Sequence, residues 1–394
     1  MLLLFKGNCS KEIAKILFID ISTPQHLVIS LDMSNNQLTD FPIELEKYSA
    51  LETLDLSRNH IDSIPAGVQF PETLRFLHLA QNNISNWLNI NPNTVLHSAV
   101  NLHTLNLAGN PLRSFSSLDE RLILTSNSLK ILDLSECKVA KITGEFVLRG
   151  LVNLEHLILA RNPLHSISEI ISEKLLSLDL SDCKLSFLHK TVFSQMPQLT
   201  YVNLNRNHRL SLSHTENEFV TSISLRRIDL SLCNMDAVEL HGFPNLTTAI
   251  LRGNLINQLA KETFQQNPLL ENLDLSSNAI TRIASGAFRQ LQHLKNLDLS
   301  YNMIRKIERE TFKENPHLTS INLSRNYIER INRIASSSLT YLNVSWCEIL
   351  NIDLDAFNDL PEMIELDLSN NLFNQFPATL HSKTLQILNL STCR

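Results

Sequence analysis

Glycine is scarce in this chain of 394 residues, with 8 in all, and aromatic residues make up only 6%. No glycine-rich phosphate loop is present, and neither the G-x-S-x-G nor the H-E-x-x-H frame occurs. The usual groups for nucleotide-dependent, serine-hydrolase and zinc-peptidase chemistry are therefore missing. The 14 histidines are scattered, and Asp353 and Asp355 have no third ligand nearby in sequence. No enzyme, metal or cofactor is expected. No apolar run approaches the roughly 18–20 residues that carry a helix across a bilayer. The opening M-L-L-L-F is short, precedes Lys6, Lys11 and Lys15, and has no small-residue cleavage site after it. It does not count as a signal peptide. A formal charge of −6 argues against a nucleic-acid surface. The 6 cysteines contain no C-x-x-C pair, so the common zinc frames are absent.

What the chain does have is leucine in a repeating frame, L-x-x-L-x-L-x-x-N/C-x-L. Its asparagine or cysteine falls at Asn36, Asn59, Asn82, Asn110, Cys137, Asn162, Cys183, Asn207, Cys233, Asn254, Asn278, Asn302, Asn326, Cys347, Asn371 and Cys393. That is sixteen copies at intervals of 21 to 28, often 24. In L-x-L the period is two, so the leucines share one face of a short strand. A return segment follows and often carries a phenylalanine: Phe146, Phe193, Phe264, Phe288, Phe312 and Phe357. A single coil cannot bury its own leucines, whereas stacked coils bury them in one continuous core. The expected fold is an α/β solenoid. It is a curved horseshoe of about 16 repeats with a parallel sheet on its concave face, spanning 26–394 after an N-terminal flank or incomplete cap at 1–25.

The asparagine or cysteine turns inward just past the strand, where the turn leaves backbone groups that no ladder satisfies. Buried N–H and C=O groups need partners. Asparagine supplies a donor and an acceptor, and a thiol a weaker form of each. The five frame cysteines therefore read as scaffold with poorly reactive thiols. Cys9 lies outside the frame, as a free thiol or as half of a flank disulfide.

This frame, its phenylalanine and the stretch LENLDLSSNAITRIASGAFRQLQHLKNLDLSYNMIRKI (270–307) resemble the leucine-rich repeat superfamily. The resemblance is to the typical 24-residue class of animal extracellular proteins, such as Toll and Toll-like receptor, chaoptin and connectin ectodomains. It implies a non-enzymatic, protein-binding array closed by cysteine-rich caps. Cys9 alone precedes the array and the last copy stops one residue past Cys393, so a fragment, an incomplete gene model or an excised ectodomain is expected, with any membrane anchor in segments missing from this chain.

The residues between the leucines should face the concave surface. Eight aspartates share one column there: Asp32, Asp55, Asp133, Asp179, Asp229, Asp274, Asp298 and Asp367. They suit a basic partner, or else simply solvate the strand. Large side chains interrupt this background, and exposed aromatic and arginine residues commonly anchor interfaces. The ligand-binding candidates are Tyr301, Arg325, Tyr341 and Trp346, taken to lie on three consecutive strands, then Tyr201 and Arg227 on neighbouring strands, and Phe76 with His78. The longer segment at 85–97 carries Trp87 and is a candidate lateral binding bulge. Sequons at Asn83, Asn245, Asn322 and Asn343 are candidate glycosylation sites; Asn83 and Asn245 are favoured because strand positions are poorer acceptors. The function these features suggest is a receptor or cell-adhesion ectodomain, extracellular or at the cell surface, recognising another protein. The alternative is an intracellular leucine-rich scaffold or adaptor.

Overall fold

The computed structural model describes residues 2–4, 25–90, 92–113, 115–116, 125–143, 148–167, 170–215, 218–377 and 383–393. The chain divides into two compact units, residues 1–202 and 203–394. Each is a stack of coils, and each frame copy gives one three-residue strand.

In the first unit the strands Ser30–Asp32, Thr53–Asp55, Phe76–His78, Thr104–Asn106, Ile131–Asp133, His156–Ile158 and Ser177–Asp179 pair in parallel without a register slip. In the second, Arg227–Asp229, Thr248–Ile250, Asn272–Asp274, Asn296–Asp298, Ser320–Asn322, Tyr341–Asn343, Glu365–Asp367 and Ile387–Asn389 do the same. Tyr201–Asn203 falls at the division. The central residue always meets the central residue of the next strand, because a slip of one would turn every leucine to solvent. Leu54, Leu77, Leu132, Leu178, Ile228 and Leu366 are fully buried, while the residues flanking each are half-buried or exposed.

The helical content of this solenoid is small. Among the described residues it amounts to Pro92–Ser98 and the 3-10 turns Gln25–Leu27, Leu45–Lys47 and Trp87–Ile90. Most return segments carry a two-residue strand followed by turns, such as Gln258–Leu259, which pairs with Arg282–Ile283. The return phenylalanines form a spine, with Phe264, Phe288 and Phe312 buried and stacked at 6.1 and 5.9 Å between ring centroids. Phe193 is buried too, and Phe357 stacks on Phe376 at 6.4 Å. Phe146 and Cys9 lie outside the described residues.

The ladder asparagines join the coils. Asn59 Nδ2 donates to the carbonyls of Leu56, in its own coil, and Met33, in the preceding one, both at 2.9 Å. Its Oδ1 accepts the Leu38 N–H at 3.0 Å. Asn82, Asn278, Asn302 and Asn326 repeat this pattern. A cysteine keeps only the donor half. Sγ of Cys137, Cys183, Cys233 and Cys347 donates to the preceding coil's Leu107, Leu159, Leu204 and Leu323 carbonyls at 3.1–3.3 Å. The asparagine that follows compensates in two places. Asn254 Oδ1 accepts the N–H groups of both Cys233 and Met235, and Asn371 those of Cys347 and Ile349.

Two features went unread in the sequence. Asn267 and Asn315 form a second buried set under the phenylalanine spine, donating to Leu240 and Phe243, and to Phe288 and Leu291. Their signal is F-x-x-N, at Phe264–Asn267 and Phe312–Asn315. Within the expected flank, Leu2–Leu4 pairs in parallel with Ser30–Asp32, Leu3 opposite Leu31. This adds one more strand ahead of the first frame copy.

Replacing Cys347 by asparagine supplies the acceptor that a thiol lacks, so Cys347→Asn should leave the melting temperature unchanged or higher. Cys347→Leu should destabilise by roughly 1–3 kcal/mol through overpacking and unpaired backbone groups. Thermal unfolding of the two variants checks this, and equal melting temperatures would contradict the ladder's role.

Candidate functional site

After each strand the chain turns sharply inward, and the residue before the ladder position takes a left-handed backbone. This holds from Asn35 (φ 56) and Arg58 (φ 58) to Asn370 (φ 56) and Thr392 (φ 57). Glycine and asparagine accept that conformation readily, whereas a Cβ-bearing side chain costs about 1–2 kcal/mol. Gly109 (φ 72) and Gly253 (φ 69) occupy two such positions. The column therefore presents one residue per coil, side by side along the turn edge of the sheet. In the first unit the neighbours on it pair: Arg58 Nε donates to Gln81 Oε1 at 3.0 Å, and Arg161 bonds Glu136 at 2.6 Å.

In the second unit three consecutive positions of this column are Tyr301 (φ 54), Arg325 (φ 56) and Trp346 (φ 54). The Arg325 guanidinium lies between the two rings, 5.1 Å from the Tyr301 centroid and 4.8 Å from that of Trp346. Tyr301 remains 53% and Trp346 51% exposed, so the stack stands in solvent. Each such contact contributes about 0.5–1 kcal/mol at an exposed site.

The expectation that Tyr301, Arg325, Tyr341 and Trp346 lie on strands is thus corrected. Three of them lie in the turn, because the frame places them two residues past the last strand leucine. Tyr341 alone is on a strand, half-buried at its start, and its hydroxyl accepts from Asn343 Nδ2 at 3.3 Å. Phe76 and His78 share a strand as expected, Phe76 exposed and His78 half-buried. Tyr201 belongs to the first unit and Arg227 to the second. Trp87 is only 8% exposed, so in the long segment it anchors the 3-10 turn rather than offering a ring to a partner.

The aspartate column has a local task. Each of the eight accepts, through Oδ1, the N–H of the residue two positions on, at 2.8–2.9 Å. Asparagine does the same at Asn106, Asn322 and Asn343. This is an Asx turn that steers the chain into the left-handed residue. Small side chains in the middle of the second unit leave an open depression of about 310 Å³ on the strand face, bordered by Thr248, Asn272, Asp274, Asn296 and Asp298.

Among the sequons, Asn83 is exposed just past its ladder asparagine. Asn245 donates Nδ2 to the Ile223 carbonyl at 2.7 Å, which engages the atom a glycan would need. Asn322 donates Nδ2 to Asp298 at 3.2 Å. Among the described residues no group of three His, Cys, Asp or Glu side chains is arranged to hold a metal, and no helix is long and apolar enough to cross a membrane. Burial pushes the thiols of Cys137, Cys183, Cys233 and Cys347 up to about 12.

The comparisons with known proteins agree with this geometry. Residues 244–304 and 292–349 match the Leucine rich repeat family, and residues 28–66 match Leucine Rich repeats (2 copies). The chain is a leucine-rich repeat protein. Its repeats are of the animal extracellular type, and the family is one of non-enzymatic binding proteins. It is 31% identical over 167 residues to keratocan of Danio rerio, covering 40% of this chain and 46% of that protein. It is 36% identical over 107 residues to the transforming growth factor beta activator LRRC32 of Mus musculus, covering 25% of this chain and 15% of that one. The matches therefore span less than half the length of either relative. Two solved complexes share the fold. The mouse RP105/MD-1 complex has a TM-score of 0.57 at 23% identity, covering 93% of this chain and 71% of the other. The Drosophila Toll–Spatzle complex has a TM-score of 0.64 at 18% identity, covering 92% and 47%.

A thiol raised to about 12 stays protonated at pH 8, and thiols react as thiolates. In the native chain a disulfide reagent at pH 8 should therefore leave Cys137, Cys183, Cys233 and Cys347 unlabelled for as long as the fold holds, with reaction rising only as pH approaches the raised value. Peptide mapping after timed labelling measures this. Cys393, which is only partly buried, should react first of the five frame cysteines.

Proposed function

We propose that this leucine-rich repeat chain is an ectodomain of receptor or cell-adhesion type that binds another protein through the second unit. The observation that carries this reading is the exposed stack of Tyr301, Arg325 and Trp346. The frame needs only asparagine or glycine at those positions, and two bulky aromatics there strain the backbone without burying a core. Backbone strain of this kind often accompanies a functional surface. Aromatic and arginine side chains are the groups most often found to dominate interfaces. A rigid array also binds with little ordering cost. The repeat type of the relatives and the exposed sequon at Asn83 support an extracellular or cell-surface setting.

Two outcomes are expected on expression in secreting cells. Asn83 carries a glycan by mass spectrometry, and Asn322 and Asn343 do not, since their amides are held along the strand. Absence of any glycan on secreted chain would sink the extracellular reading. Trp346→Asn should leave the melting temperature unchanged or slightly higher, yet weaken capture from a panel of extracellular domains by about tenfold or more. A fall in melting temperature with unchanged capture would show instead that the stack is structural.

A further inference from the structure

Resting on that reading, we infer that the turn edge of the second unit, rather than its strand face, holds an acidic segment of a partner polypeptide that also carries aliphatic side chains. A second column runs beside the aromatic stack, made of the residues that follow the ladder position. In four consecutive coils these are Leu255, Ala279, Met303 and Tyr327. Their N–H groups each donate to the preceding coil, to Met235, Ile256, Ile280 and Ile304, at 2.8–3.0 Å, so they stand in register. Leu255, Met303 and Tyr327 are 54, 48 and 47% exposed. The isoleucines that follow, Ile256, Ile280, Ile304 and Ile328, supply the core there, and the ridge adds nothing to it. An exposed apolar ridge beside an aromatic stack is the composition of an interface centre.

Charge specifies what fits it. Both faces of the Arg325 guanidinium are covered by rings, so its remaining capacity lies along its edge, where N–H donors match a carboxylate in the plane. Among the described residues no carboxylate lies within ion-pair distance of Arg325, or of Arg282 and Arg305 in the return segments after Asn278 and Asn302. By contrast, Arg330 is paired with Asp353 and Lys306 with Glu308. Glu329 and Glu348 bound the patch on its C-terminal side. The strand face of this unit carries Asp229, Asp274, Asp298, Glu365 and Asp367, with Arg227 as its cation. An acidic partner is repelled by that face and drawn to the edge, and such separation fixes register as well as affinity. A sulfated glycan would satisfy the arginines but would make no use of Leu255, Met303 and Tyr327.

The test uses the intact secreted chain and three immobilised probes: a synthetic peptide alternating glutamate and leucine, its lysine–leucine counterpart, and heparin. The glutamate–leucine peptide should bind, and the lysine–leucine peptide should not. Arg325→Ala and Met303→Ser should each weaken binding by about fivefold or more, while Asp367→Asn, which keeps the turn cap, leaves it unchanged. Preference for the lysine peptide, or binding indifferent to Arg325→Ala, overturns the inference. Heparin binding that survives Met303→Ser, with no peptide binding, assigns the edge to a glycan and also overturns it. A chain that ignores the glutamate peptide but captures an extracellular domain through Arg325 keeps the protein-binding reading and loses only the acidic partner. Capture unaffected by Arg325→Ala defeats both.

Discussion

The hydrogen bonds of the ladder asparagines are what the rest of this structure depends on. A three-residue strand has few ladder bonds of its own, and the chain must turn away at once to complete its coil. That turn exposes carbonyl and N–H groups toward the core, where water cannot reach them. One side-chain amide per coil, reaching its own turn and the preceding one, satisfies them and couples adjacent coils. Five coils use a thiol instead. They keep the donor and lose the acceptor, and in two of them the next asparagine takes on two N–H groups. The ladder therefore tolerates cysteine wherever the thiol keeps its bond to the preceding coil's carbonyl.

The same turn creates the surface that the protein can use. Getting from strand to ladder residue requires a left-handed residue, and the aspartate cap before it holds the chain in that path. Side chains at this position cannot enter the core, and the parallel stacking sets them beside their counterparts in the next coil. Whatever occupies consecutive copies is brought together automatically. In the first unit Arg58 pairs with Gln81 and Arg161 with Glu136. In the second the neighbours are tyrosine, arginine and tryptophan, and they stack. The polar column on the strand face, which the sequence offers as an acidic surface, is largely committed to turn geometry.

The family models match leucine-rich repeats at residues 28–66 and 244–349, and the two solved complexes share the fold. Leucine-rich arrays present varied side chains on a constant backbone, so the specificity of any one of them lies in residues that the frame leaves free. Here the side chains of the turn edge are among them. The isoleucines and leucines of the frame are committed to the core, whereas Arg325 and Met303 are not.

The spacing of leucine and asparagine by itself determined the strands, their parallel register, the buried phenylalanine spine and the scaffold role of the cysteines, because a fixed period leaves one way to bury the apolar positions. It also named Tyr301, Arg325 and Trp346 as residues that the core does not need. Only the tertiary structure decided that they lie in the turn rather than on the strand, that Tyr341 sits apart at the start of its strand, and that Trp87 is an anchor. It alone revealed the second asparagine set, the extra strand at Leu2–Leu4 and the ridge beside the stack. The physical reason is that periodicity reports which side of a coil a residue faces. Which side chains meet depends on the left-handed turn and on the lateral alignment of coils some two dozen residues apart.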